Sequence, residues 1–169
     1  MPIPQQRESR LIPALSNYLE TYLDIECNTD SDWQYYSDTR SPGDQVLGRI
    51  EYTRRTDNDR RGAVIYTITV TALLSELTSE LAQINAANLK SYIENTVIPD
   101  LGSTGTVVTL GENDEIEETF FKGIVCQESG FTLNKQSSAT LAAIAWVLQW
   151  EDWNEASVQG LQQKYLRIV

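Results

Sequence analysis

Histidine is absent from all 169 residues, and cysteine occurs only twice, methionine once and phenylalanine three times. The missing imidazole removes Ser–His and Cys–His nucleophile pairs, histidine metal sites and the commonest general base together. Cys27 and Cys126 stand far apart in the chain. A single pair with no short metal-ligand spacing is not a disulfide framework, and it reads as two buried thiols in a reducing compartment. Long hydrophobic runs are also missing. The weakly polar stretch Ala139 to Leu148 falls far short of the roughly 20 residues that span a bilayer. The start, Met-Pro-Ile-Pro-Gln-Gln-Arg-Glu, has no apolar signal-peptide core. No glycine-rich phosphate loop exists, because Gly102 and Gly105 lack a following Gly-Lys-Ser/Thr and do not lead from a strand into a helix. Internal repeats and low-complexity tracts are missing too. These absences predict a soluble, cytoplasmic chain without cofactor, metal site or catalytic residues.

Positive charge is scarce: 13 Lys and Arg face 24 Asp and Glu, for a net charge of -11. That balance argues against a dedicated DNA or RNA binder, which relies on clustered basic residues to displace counterions. It leaves open a ring through which nucleic acid passes, where weak contact is an advantage. With 41% hydrophobic and 22% charged residues, the chain has the composition of one globular domain large enough for a real core. We expect that domain to cover residues 1–169, with a short N-terminal arm over about 1–6 and a C-terminal arm over about 154–169.

What is present reads as α+β: a mainly antiparallel sheet, one N-terminal and one mid-chain helix packed on it, and long polar hairpin tips. Leu11, Leu15, Tyr18, Leu19, Tyr22 and Leu23 recur at helical spacing, so a helix is expected over Arg7 to Leu23, with Pro13 in its first turn. Asp24 to Asp44 reads as a loop whose Trp33, Tyr35 and Tyr36 pin it to the body or to a partner. Val46, Gly48, Ile50 and Tyr52 alternate, and so do Val64, Tyr66, Ile68 and Val70. Together they suggest a β-hairpin with a polar tip from Thr53 to Gly62. Ser75 to Ile98 is a second expected helix, its apolar face Leu77, Leu81, Ile84, Leu89, Tyr92, Ile93 and Val97, stopped by Pro99. Leu101 to Gly105 reads as a linker. Thr106 to Leu110 and Thr119 to Cys126 read as a strand pair around the acidic segment Gly111 to Glu118, and Gly130 to Ser138 as a loop. Ala143 to Glu151 alternates most clearly of all. Ile144, Trp146, Leu148 and Trp150 share one face, so both tryptophans are expected in the core.

Two charge clusters stand out. Arg49, Arg54, Arg55, Arg60 and Arg61 all lie in the first hairpin. Glu112, Asp114, Glu115, Glu117 and Glu118 crowd the second, where five neighbouring acids repel and are expected to stay solvated or face a partner rather than catalyse. Asp57-Asn58-Asp59 lacks the glycine and distant glutamate of a calcium loop. Both hairpins suit solvated tips. The sharper expectation is that the arginine hairpin of one copy meets the acidic hairpin of the next, in a head-to-tail interface that can close into a ring. Trp153, beyond the last strand, is expected either to cover a core edge or to anchor a contact between subunits.

On Leu11 to Leu23, Gly62-Ala-Val-Ile-Tyr-Thr-Ile-Thr-Val-Thr71 and Ala143-Ile-Ala-Trp-Val-Leu-Gln-Trp-Glu-Asp152, the layout from about Arg7 to Asp152 resembles the tail terminator proteins of tailed bacteriophages. The resemblance implies a structural virion protein with no active site. It would form a homo-hexameric ring at the tail–neck junction and be assembled in the host cytoplasm. Such a ring caps the tail tube, ends its polymerisation and provides the surface on which the neck connector or stopper docks. In contractile tails it also meets the sheath, and DNA passes through its lumen without specific binding. Another neck, minor tail or baseplate protein is the near alternative. A ligand-binding module using Trp33, Tyr35 and Tyr36, or a two-carboxylate enzyme, are more distant ones.

Overall fold

A computed structural model describes residues 4–27, 41–57, 63–111, 113 and 116–153. The fold is α+β, with a mainly antiparallel sheet. Helices α1 (Pro4–Ser9) and α2 (Leu11–Leu23) come first, and strand β1 (Glu26–Cys27) follows. The hairpin β2 (Leu47–Asp57) and β3 (Ala63–Glu76) leads to helix α3 (Ser79–Tyr92), a π turn (Ile93–Val97) and helix α4 (Ile98–Thr104). Strands β4 (Thr106–Leu110) and β5 (Ile116–Phe120) form a separate two-stranded hairpin. β6 (Val125–Lys135) and β7 (Thr140–Asp152) complete a five-stranded sheet in the order β1-β2-β3-β7-β6. Among the described residues only the β1–β2 pairing is parallel.

The sheet has one face covered by helices and a second face, open of helices among the described residues, on which Leu47, Ile65, Leu73 and Leu141 are nonetheless buried. Even-numbered residues of β3 and β7, among them Tyr66, Ile68, Ile144, Trp146, Leu148 and Trp150, are buried beneath the helices with Leu11, Leu15 and Leu19 of α2. Tyr66 stacks on Trp150 at 5.3 Å, and Phe120 and Phe121 pack against the same indole. Both tryptophans therefore lie in the core, as their alternation predicts, and each indole donates to a helix or loop carbonyl, Trp146 to Lys90 and Trp150 to Lys122. The residues between them face the other side. By register this open face carries Arg49, Glu51, Thr53 and Arg55 of β2, Thr71, Thr69, Thr67 and Ile65 of β3, and Ala145, Val147, Gln149 and Glu151 of β7.

Several local expectations are corrected. Helix α1 begins at Pro4, inside the expected N-terminal arm at about 1–6, since a proline is tolerated in a first helical turn. Pro99 does not stop the second helix. A π turn precedes it and shifts the hydrogen-bond ladder, the Ile98 N–H reaching Ile93 O, so that Pro99 falls in the first turn of α4. That helix occupies the expected linker. Gly102 lets it approach the backbone at Ile124, and Gly105, at φ 70, ends it by donating to Leu101 O at 2.6 Å. Ser75 and Glu76 belong to β3, and the helix starts later, capped by the Thr78 hydroxyl, which accepts from the Leu81 N–H at 3.1 Å. The expected Gly130–Ser138 loop is mostly the edge strand β6, and β5 begins at Ile116, inside the segment read as an acidic tip. Residues 28–40, with Trp33, Tyr35 and Tyr36, and the arm at 154–169 lie outside the described residues.

Candidate interaction surfaces

The acidic hairpin is not uniformly solvated. Because β5 alternates, Glu118 turns inward and is buried, while Glu117 stays exposed. Glu118 accepts from Arg10 of the α1–α2 junction and from Arg7 Nη1 at 3.4 Å. Arg7 is itself buried. Its Nε and Nη2 clasp the Asp152 carboxylate at 2.7 and 3.2 Å, and Nη2 also donates to Thr119 O at 2.5 Å. The guanidinium lies 4.4 Å from the centre of the Phe120 ring, a cation–π contact in a desolvated place. The buried charges are thus paired and hydrogen-bonded, as burial demands. Glu118 consequently leaves the set of expected partner-facing acids, because its counter-ions come from its own N-terminal helices.

The arginine hairpin is partly engaged in the same way. Arg54 approaches Glu8 of α1 at 3.6 Å, and the Tyr52 hydroxyl donates to Glu8 at 3.1 Å. Burial, and then that hydrogen bond, raise the Tyr52 pKa. Arg55 points to the open face and is exposed. Arg60, Arg61, Glu112, Asp114 and Glu115 lie outside the described residues. Trp153 is 53% exposed and borders a cavity of about 370 Å³ with Gly102, Thr119, Lys122, Gly123 and Trp150.

Two surfaces escaped the reading of the sequence. On α3 and just before it the apolar stripe faces outward: Leu77, ahead of the helix, is 69% exposed, and Leu81 and Ile84 on it are 44% and 51% exposed, whereas Ala82 and Ala86 are fully buried against the sheet. Helix and sheet approach closely there, and only small residues fit between them. The expected face was therefore the wrong one over this first half, although Ile93 and Val97 are buried as expected. The second surface is a groove of about 540 Å³ lined by Tyr18, Tyr22, Tyr92, Asp100, Thr104 and Val107, among others. Tyr18 and Tyr22 lie 4.6 Å apart, and partial burial, then the neighbouring Tyr22 and Asp100, raise the Tyr18 pKa. The spacing of Tyr18 and Tyr22 signals a shared helix face, but nothing local reveals that Tyr92 and Asp100 join them.

Among the described residues, no three Cys, Asp or Glu side chains gather to hold a metal ion, and no helix is long and apolar enough to cross a membrane. No known protein-family model matches the chain, and no curated protein matches it.

Proposed function

We propose that this chain is a structural subunit that assembles with copies of itself as tail terminator proteins do. In this reading it forms a homo-hexameric ring that caps a phage tail tube, ends its polymerisation and offers the neck connector or stopper a docking surface. In a contractile tail the ring would also meet the sheath, and DNA would pass through an acidic lumen without specific contact. The observation that supports the reading is the outward stripe of Leu77, Leu81 and Ile84. Large apolar side chains grouped on a surface mark an interaction site. They lie where β3 meets β7 at Glu76 and Thr140, the opposite end of the sheet from the arginine hairpin, which leaves it at Val64 and Asp152. Different patches at different ends suit a head-to-tail interface, the kind that generates rings.

Electron microscopy and sedimentation of the purified protein, alone and with tail tubes, test this. Sixfold rings are the expected result. A monodisperse monomer under both conditions and at every concentration overturns the proposal.

A further inference from the structure

We infer that the tyrosine groove between α2, the π turn and β4 receives an arginine side chain from a second copy of this chain, and that Arg55 at the outer end of β2 supplies it. The inference rests on the self-assembly reading above and names the contact through which it works. Tyr18, Tyr22 and Tyr92 line the groove with Asp100. Aromatic faces beside a carboxylate form a receptor for a cation, and arginine, flat and weakly hydrated, stacks on such faces better than lysine. Tyr22 is 69% exposed and Tyr92 52%, so the groove is too open to enclose a small cation. It suits a cation carried on a stem that also covers the rings.

The choice of cation follows from elimination among the described residues. Arg7, Arg10, Arg49, Arg54 and Lys90 are already in ion pairs within the chain. Arg55 is exposed on the open face and has no such partner among the described residues. Lys122 and Lys135 lack the guanidinium plane. Arg55 also stands in the one basic concentration of an otherwise acidic sequence, close to Arg60 and Arg61, so long-range attraction favours its approach to an acidic body. It cannot serve its own groove, because the open sheet face and the helical layer lie on opposite sides of the domain. A copy joined by this contact leaves its own groove free for the next.

Charge-swap variants test the contact by sedimentation equilibrium. Asp100→Lys and Arg55→Glu should each weaken self-association by about tenfold or more, the scale of a close interfacial charge pair. Combining the two should recover most of the loss. Tyr22→Ala should weaken association without altering the circular dichroism spectrum, since its ring is exposed. Assembly insensitive to Asp100→Lys and Arg55→Glu overturns this contact and leaves the ring proposal standing. Weakening by Asp100→Lys without recovery in the combined variant also overturns it, because the groove then takes a cation from elsewhere. A wild type that never assembles overturns both.

Discussion

Arg7 is the residue on which most structure converges. It ties the first helix to β5 and to the last residue of β7, and two carboxylates, a carbonyl and a ring face share its charge. Removing one member of such a cluster leaves the others charged and buried. Arg7→Ala should therefore destabilise the fold by about 3–5 kcal/mol, read as a lower urea midpoint. An apolar double replacement, Arg7→Met with Asp152→Leu, should cost less than the sum of the two single changes, because it leaves fewer buried charges without a partner. Cys27 makes a second prediction at this scale. Burial, and then the nearby Glu20 carboxylate, push its thiol from 9.0 up to about 11. A thiol whose pKa rises on folding contributes its full stability below the unfolded value and loses it as pH climbs through the folded one. Alkylation of Cys27 in the native protein should thus lag far behind that in the denatured chain at pH 9 and catch up only near pH 11, as mass spectrometry can follow. Equal rates at pH 9 would show that the thiol is not protected.

At the scale of elements, α3 and α4 invert the usual expectations for a helix. Alanine normally stabilises a helix over glycine by about 1 kcal/mol. In α4, however, a Cβ on Gly102 would stand 2.6 Å from the Ile124 carbonyl oxygen. Gly102→Ala should therefore lower the melting temperature, with a cost of about 1–3 kcal/mol from the backbone shift it forces. In α3, enlarging the buried Ala82 to Leu should destabilise by a similar ~1–3 kcal/mol. Leu81→Gln on the outer face should leave monomer stability within about 0.5 kcal/mol while weakening self-association. These reversals also explain what the sequence made legible. β2 and β7 could be read because their apolar residues alternate towards the helix-covered face, and β3 because β-branched residues fill both of its faces. Trp146 and Trp150 followed from the alternation of β7. β6 could not, because an edge strand with one solvated face carries Gln127, Ser129 and Gly130, residues that also make loops. The α3 face was misread because leucine is more hydrophobic than alanine, whereas the space beside the sheet admits only alanine. Glu118 was misread because its counter-ions, Arg10 and Arg7, are 108 and 111 residues away, and no local pattern encodes such a pairing.

For the whole molecule, the decisive feature is the separation of its surfaces. β7 is 13 residues long, which at ~3.3 Å per residue sets the ends of the sheet about 40 Å apart. The leucine stripe lies towards one end and the arginine hairpin at the other. If copies join through Arg55 and the tyrosine groove, association should weaken as salt rises from about 0.05 to 0.5 M, because exposed charges are screened over a Debye length that shrinks from above 10 Å towards a few ångströms. Salt-insensitive association would instead point to the leucine stripe as the dominant contact. The place of β7 has one more consequence. It is the last of the described strands in the chain, yet it lies inside the sheet between β3 and β6, and its final residue holds Arg7 across a sequence separation of 145. A ribosome making this chain must therefore deliver nearly all of the described residues before β3 gains its second neighbour and the first helix its anchor. Until then the growing chain exposes an unpaired strand edge and a half-built core, which makes chaperone contact during synthesis, rather than stability afterwards, the point at which this fold is most vulnerable.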